Sequence, residues 1–319
     1  MASFFKNPYR NRMRRLLPGL AACFAFLALG IGMAARVADE TDLPPHPDYE
    51  RLSELPFKPG EKITYNIRWS FIDVGTATLE FNGPIEREGQ KVWQIVLRAQ
   101  TNGFADKIFK VRDYNAVWVD EDFTHPVYYV KNQKEGSTDR EVIVTFDWVN
   151  NKARYSDRGN AREPIDIMPG SWDPLAITYA VRNLNLDAGE HLSIPSTDGK
   201  KCTMTEIDIS GVEQVKVPAG NFDVLVLSPD TKDLGGVFKK SDDAGIKIWF
   251  TNDERHIPVR MASRVVVGSF VAEMQRVEGP GAEKYNAAPE DDQKPASPRK
   301  RGGRRTNSDV SLTPDATGI

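Results

Sequence analysis

His46, His125, His191 and His256 are the four histidines of the chain, and no two stand at the close spacing that brings two imidazoles to one metal. There is no HExxH pair, and Cys202 has no partner nearby to share a site. His46 lies in a proline-rich stretch, while His125 and His256 stand at or next to prolines at strand starts, where structural or solvated roles are the rule. Gly170-Ser171-Trp172 lacks the GxSxG elbow of a nucleophilic serine, and no glycine-rich phosphate loop occurs. Ser171 reads as part of a helix entry. Acid pairs such as Asp120–Glu121 and Asp242–Asp243 fall in turns, where acids are ordinary. Two carboxylates from distant strands can still meet inside a barrel without leaving a local motif. The chain is read as non-enzymatic, and no metal or organic cofactor is implied.

The aromatic residues are the more informative set. Tyr65, Trp69, Phe81, Trp93, Tyr114, Trp118, Phe146, Trp148 and Trp249 all fall on predicted strands. Large aromatics usually fill a core. The functional alternative is that some line an apolar cavity suited to an acyl chain. On that alternative the candidate ligand-binding residues are Tyr65, Trp69, Phe71, Trp93, Trp118, Trp172 and Trp249. Trp172, beside the helix entry, and Phe71, at a loop tip, suit a cavity mouth or an interface. Arg68, Lys110, Arg112 and Lys131 read as exposed charges that guard a sheet edge. Gathered at a barrel mouth, they could instead hold an anionic headgroup.

These residues are positioned by strands. In KITYNIRWSFIDVGTATLEF, residues 62–81, apolar side chains take every second position from Ile63 to Trp69 and again through Ala77, Leu79 and Phe81. A hairpin turning at Glu88-Gly89-Gln90 comes next, and then runs such as RDYNAVWVD, PVYYVKNQ, REVIVTFDW, FDVLVLSP and GIKIWFT. About twelve candidate strands are separated mostly by short turns, as antiparallel meanders allow. GFADKIFK, residues 103–110, is read as a helical turn. SWDPLAITYAVRNLNL is read as the main helix, with Asp173 as N-cap and Pro174 in the first turn. One helix inserted among so many strands predicts a mainly β fold: a curved antiparallel sheet, open barrel or sandwich. The apolar face from Ile63 to Trp69 then lies inside.

The ends of the chain differ from this body. Residues 1–38 read as a signal peptide or membrane anchor, because five basic residues precede a charge-free stretch from Leu16 to Ala35. That stretch has the roughly 20 residues needed to cross a bilayer. Either fate exports the body of the chain. The protein is therefore expected in the periplasm, soluble after cleavage or held on the inner membrane by its N-terminal segment, with lipidation at Cys23 the weaker alternative. Residues 39–59 read as a proline-rich linker, 60–278 as the β-rich domain, and 279–319 as a disordered tail carrying the basic cluster Arg299, Lys300, Arg301, Arg304 and Arg305. The chain carries a formal charge of −3, yet residues 1–15 carry +5 and residues 283–319 +1, leaving −9 for residues 16–282. A body of that sign is a poor match for nucleic acid. With Cys202 its one cysteine, the body has no internal disulfide and must be stable through packing.

The order of segments carries a resemblance. PFKPGEKITYNIRW, VGTATLEF, DYNAVW, SWDPLAITYAVRNL, VKVPAGNFDVLVL and IKIWFTNDERHIPVRMASRVVVGSFVAEM together resemble the bacterial domain-of-unknown-function family with catalogue number three-one-zero-eight, over about residues 57–277. The resemblance implies an exported, mainly antiparallel β domain of uncharacterised activity and transfers no catalytic residues. The architecture is more loosely similar to the half-open β-barrels of periplasmic lipoprotein carriers. The expected function is non-catalytic binding of a lipid-like or apolar ligand in the cell envelope. A membrane-surface module that binds an envelope protein partner is the first alternative. An envelope hydrolase, which would need buried titratable groups converging in one pocket, is the second.

Overall fold

The computed structural model describes residues 51–230, 245–265 and 268–286. The leader, the first part of the linker and most of the tail lie outside the described residues. Among those described, no helix is long and apolar enough to cross a membrane.

Fifteen strands form one sheet: β1 (Glu61–Trp69), β2 (Ile72–Arg87), β3 (Gln90–Thr101), β4 (Arg112–Asp120), β5 (Pro126–Glu135), β6 (Thr138–Asp147), β7 (Lys152–Asp157), β8 (Asn160–Ala161), β9 (Ile165–Asp166), β10 (His191–Thr197), β11 (Cys202–Val217), β12 (Gly220–Pro229), β13 (Gly245–Thr251), β14 (Pro258–Val265) and β15 (Gly268–Glu278). The order is β10–β11–β12–β13–β14–β15–β1–β2–β3–β4–β5–β6–β7–β8, with β9 also on β7, and every pairing is antiparallel. The sheet is open, mainly β and curved. β8 and β9 have two residues each, too few for an alternating pattern. β10 contains Pro195, which an edge strand tolerates because its outer side needs no N–H donor.

Local chemistry accounts for the turns. Glu88 and Gly89 join β2 to β3 with φ of 52° and 78°, the paired positive angles that match a hairpin's twist. Residues 105–107 form the helical turn expected after β3. The main helix, α1 (Ala176–Arg182), follows a turn closed by Asp173, whose Oδ1 accepts the N–H groups of Leu175 and Ala176 at 2.9 and 3.1 Å.

α1 lies on the inner face of the sheet. Tyr179 stacks on Phe81 at 5.6 Å and meets Phe57 edge-on at 4.8 Å. Phe57, inside the stretch read as linker, is thus part of the core, and at the other end Tyr285 is buried beyond β15. Arg182, on the last turn of α1, is fully buried against Glu61 of β1, with contacts of 2.6 and 3.0 Å between the guanidinium and both carboxylate oxygens. Arg255, from the β13–β14 turn, adds a third contact at 2.6 Å. The three groups clamp the helix to two distant parts of the sheet. Burial alone would raise the Glu61 carboxyl, but the two guanidinium groups outweigh it and hold it below its ordinary range.

The ends of the sheet meet without pairing. A Cβ on Gly199, in the β10–β11 turn, would stand 2.8 Å from both Val144 methyls and 3.4 Å from Tyr155, so this hairpin rests on the inner face of β6 and β7. Lys200 lies 5.2 Å from the Tyr155 ring. The open sheet therefore curves far enough to bring its β10–β11 hairpin against the inner face of β6 and β7.

Candidate functional site

Because the inner side chains follow strict alternation, cross-strand register arranges them in rows. One row runs Glu61, Phe81, Ile95, Val117, Tyr129, Val144, Tyr155. The next begins Ile63, Leu79, Leu97 and then turns polar at Asn115 and Lys131. A third runs Tyr65, Ala77, Ala99 and then Asp113. On the other side of β1, Ile67, Ala272, Met261, Ile248, Leu227 and Ile209 continue an apolar surface. Apart from the Glu61 clamp beneath α1 and scattered buried hydroxyls such as Thr101, the polar part of the inner face is a wedge on β4 and β5: Asp113, Asn115, Lys131, Gln133 and Glu135, each at most 8% exposed.

Inside the wedge, Asp113 Oδ1 accepts the backbone N–H of Lys134 at 2.8 Å. The Asp113 and Glu135 carboxyl groups lie close enough to act on each other electrostatically, and Asp113 Oδ2 and Glu135 Oε1 are buried without a hydrogen-bond partner among the described residues. Burial, then the charge of Asp113, push Glu135 up to about 9, so Glu135 keeps its proton at neutral pH. Burial also raises Asp113, against the pull of Glu135, the Lys134 N–H and Lys131. Lys131 is lowered by burial, against the attraction of Glu135 and Asp113. Burial thus works against charge on all three titratable groups of the wedge. Asn115 goes further, since both its amide nitrogen and its oxygen are buried without a hydrogen-bond partner among the described residues. Such groups carry a real cost in a low-dielectric interior.

Chemically the wedge offers an acid that keeps its proton at neutral pH, a second carboxyl beside it, and an amide with a free donor and a free acceptor. Its five residues include no serine, threonine or cysteine. Ser171 donates to the Met168 carbonyl at 2.7 Å, and burial raises the Cys202 thiol, which makes it unreactive. Among the described residues, no group of three or more His, Cys, Asp or Glu side chains is placed to hold a metal. A groove of about 880 Å³ at the starts of β10 and β13 is lined by His191, Glu206, Asp208 and Lys247, among others. Its histidine is already held between Asp208 and Glu206, at 2.8 Å from each.

The aromatic candidates separate into three groups. Tyr65, Trp93 and Trp172 belong to the packed end beside α1. Tyr65 donates to the Pro258 carbonyl at 2.7 Å, Trp93 stacks on Phe81 at 5.2 Å, and Trp172 packs on Phe123 at 5.7 Å. Trp69 and Phe71 sit at the opposite end, Trp69 stacked on Phe270 at 6.2 Å and Phe71 exposed. Trp118 and Trp249 line no cavity, because their parity turns them to the outer face. There Arg87 lies between Trp118 and Tyr128, while Trp249 donates to Glu213 and lies under Arg260. Lys131, read as an exposed edge charge, is buried for the same reason of parity: it shares the face of Tyr129. Asp113, Asn115, Gln133 and Glu135 were legible by that rule, since Val117 and Val119 fix which face of β4 is inside.

No curated protein matches the sequence. Among solved structures, a β-barrel-like protein of a domain of unknown function, DUF1849, from Brucella abortus is similar at 10% identity, over 69% of this chain and 97% of that one, with a TM-score of 0.45. A hypothetical protein of Chlamydia trachomatis is similar at 9% identity over 73% and 93%, with a TM-score of 0.31. A Bacteroides fragilis protein of YmcC-like fold, classed provisionally as exported, is similar at 11% identity over 70% and 98%, with a TM-score of 0.27. The model of the family described as "Protein of unknown function (DUF3108)" matches residues 64–275, from within β1 to within β15, and the chain belongs to that family.

Proposed function

We propose that this protein is an exported cell-envelope binding protein that takes an amphipathic, lipid-like ligand inside its half-barrel without transforming it. One observation carries the reading: a row of the inner face that is apolar from Ile63 to Leu97 turns polar at Asn115 and Lys131, and the buried amide of Asn115 has no hydrogen-bond partner among the described residues. A ligand whose polar group meets the wedge and whose apolar part runs along Ile67 and Ala272 satisfies both halves of that face. The envelope location rests on the basic and apolar leader of residues 1–35.

Native mass spectrometry with lipid extraction, on protein recovered from the periplasm of an expressing host, tests the reading. The expected result is a retained amphipathic molecule that is depleted in the Asn115→Leu variant. A bare protein mass for the wild type, or equal retention by Asn115→Leu, would overturn it. The neighbouring buried carboxyls Asp113 and Glu135 favour a second reading, an envelope hydrolase using acid and base in turn. On that reading the retained molecule would be cleaved over time by the wild type and left intact by Glu135→Gln.

A further inference from the structure

The end of the half-barrel nearest Asp113 and Glu135 carries two aromatic side chains that the core does not use. Phe71, in the turn between β1 and β2, is 87% exposed, and Phe104, in the loop between β3 and β4, is 57% exposed. The two loops form one surface. Asn102 donates its backbone N–H to the Val74 carbonyl at 2.9 Å and its side-chain amide to the Asp73 carbonyl at 2.7 Å. Its Oδ1 accepts the N–H groups of Phe104 and Ala105 at 3.1 and 2.9 Å. The β3–β4 loop is also held from its far side, where Arg112 grips Asp106 through contacts of 2.6 and 3.0 Å. The aromatics are therefore presented on a fixed frame.

Charge distinguishes this rim further. Asp106 is neutralised by Arg112, while Lys107 and Lys110, on the same loop, are exposed and form no ion pair among the described residues. Exposed aromatics flanked by unpaired lysines match the headgroup layer of an anionic bilayer, where rings settle at the interface and ammonium groups meet phosphates. The rim is also continuous with the wedge, because Val111, which ends the loop, bridges Glu135. The other end is closed by α1 with Phe57, Phe123 and Trp172.

We propose that this rim docks on an anionic membrane surface, with Phe71 and Phe104 at headgroup level and Lys107 and Lys110 against lipid phosphates. The proposal goes beyond ligand binding, and only the direction of ligand entry rests on that reading. Hydrogen exchange of the full chain, on phosphatidylcholine vesicles with and without phosphatidylglycerol, reads the two loops locally whatever the leader does. Protection of residues 70–74 and 102–110 on the anionic vesicles is expected. It should weaken with salt and be lost in the Phe71→Ser/Phe104→Ser variant, while the turn at Val149, 93% exposed at the other end, stays unchanged. Equal exchange on both vesicles, or protection that survives in the variant, would overturn the proposal. So would protection that grows with protein concentration without vesicles, which would assign the surface to a second copy. Ligand retention by native mass spectrometry should be the same in wild type and in the single Phe104→Ser variant, so a failure of docking and a failure of binding are told apart.

Discussion

Glu135 keeps its proton to about pH 9 in the fold, where an ordinary glutamate loses it near 4.5. Between those values the folded chain holds a proton that the unfolded chain has released. Stability therefore falls as pH rises across that window, by at most about 1.4 kcal/mol per pH unit for a single proton. Glu135→Gln mimics the protonated acid and removes the dependence. The variant should match the wild type at pH 5 and exceed it at pH 8 by roughly 1–3 kcal/mol in urea unfolding. Parallel pH profiles would show that Glu135 ionises normally. The nearness of Glu135 to Asp113 was hidden in the sequence because the two lie 22 positions apart and only the β4–β5 register joins them. The parity of Lys131 with Tyr129 was readable, but a lysine that opens the polar run Lys131-Asn132-Gln133-Lys134 ordinarily signals an exposed face.

For α1, a seven-residue helix too short to be stable alone, docking matters more than propensity. Its entry was legible, since Asp173 before Pro174 is a start signal with a mechanism, and Asp173 does bond the N–H groups of the first turn. Its partner was not, because nothing near Arg182 in sequence points to Glu61, 121 residues away. Arg182→Met leaves the Glu61 carboxylate buried with Arg255 alone, and a stranded buried charge costs about 3–5 kcal/mol. Adding Glu61→Met removes that charge, while Arg255 keeps its bonds to the Pro280 and Gly281 carbonyls at 3.1 and 2.7 Å. The double variant should therefore be more stable than Arg182→Met in urea denaturation. If the two losses simply add, the clamp is not a coupled unit.

At the scale of the molecule, β1 pairs with β15 from Lys62–Glu278 to Trp69–Phe270, so the first and last strands lie side by side and the sheet's free edges are mid-chain elements. Alternation in the sequence showed the longer strands and their antiparallel style, because those strands bury one face. It could not show closure, which depends on how far the sheet rolls and on a single hairpin seated against β6 and β7. That seat can be measured. Gly199 and Gly89 both have φ of +78°, so alanine at either position meets the same left-handed backbone penalty, about 1–2 kcal/mol. At Gly89 the added methyl meets nothing within 4 Å, whereas at Gly199 it meets the Val144 methyls at 2.8 Å. Gly199→Ala should thus be less stable than Gly89→Ala by a further 1–3 kcal/mol or so, the usual cost of overpacking. The excess should disappear when Val144→Ala opens the space, because the backbone penalty is then all that remains. An excess of zero in the Val144 background and in the wild type alike would mean that the hairpin does not rest there and that the interior stands open between β7 and β10. An excess that Val144→Ala relieves would establish the overlap as the contact that shuts the wedge away from water.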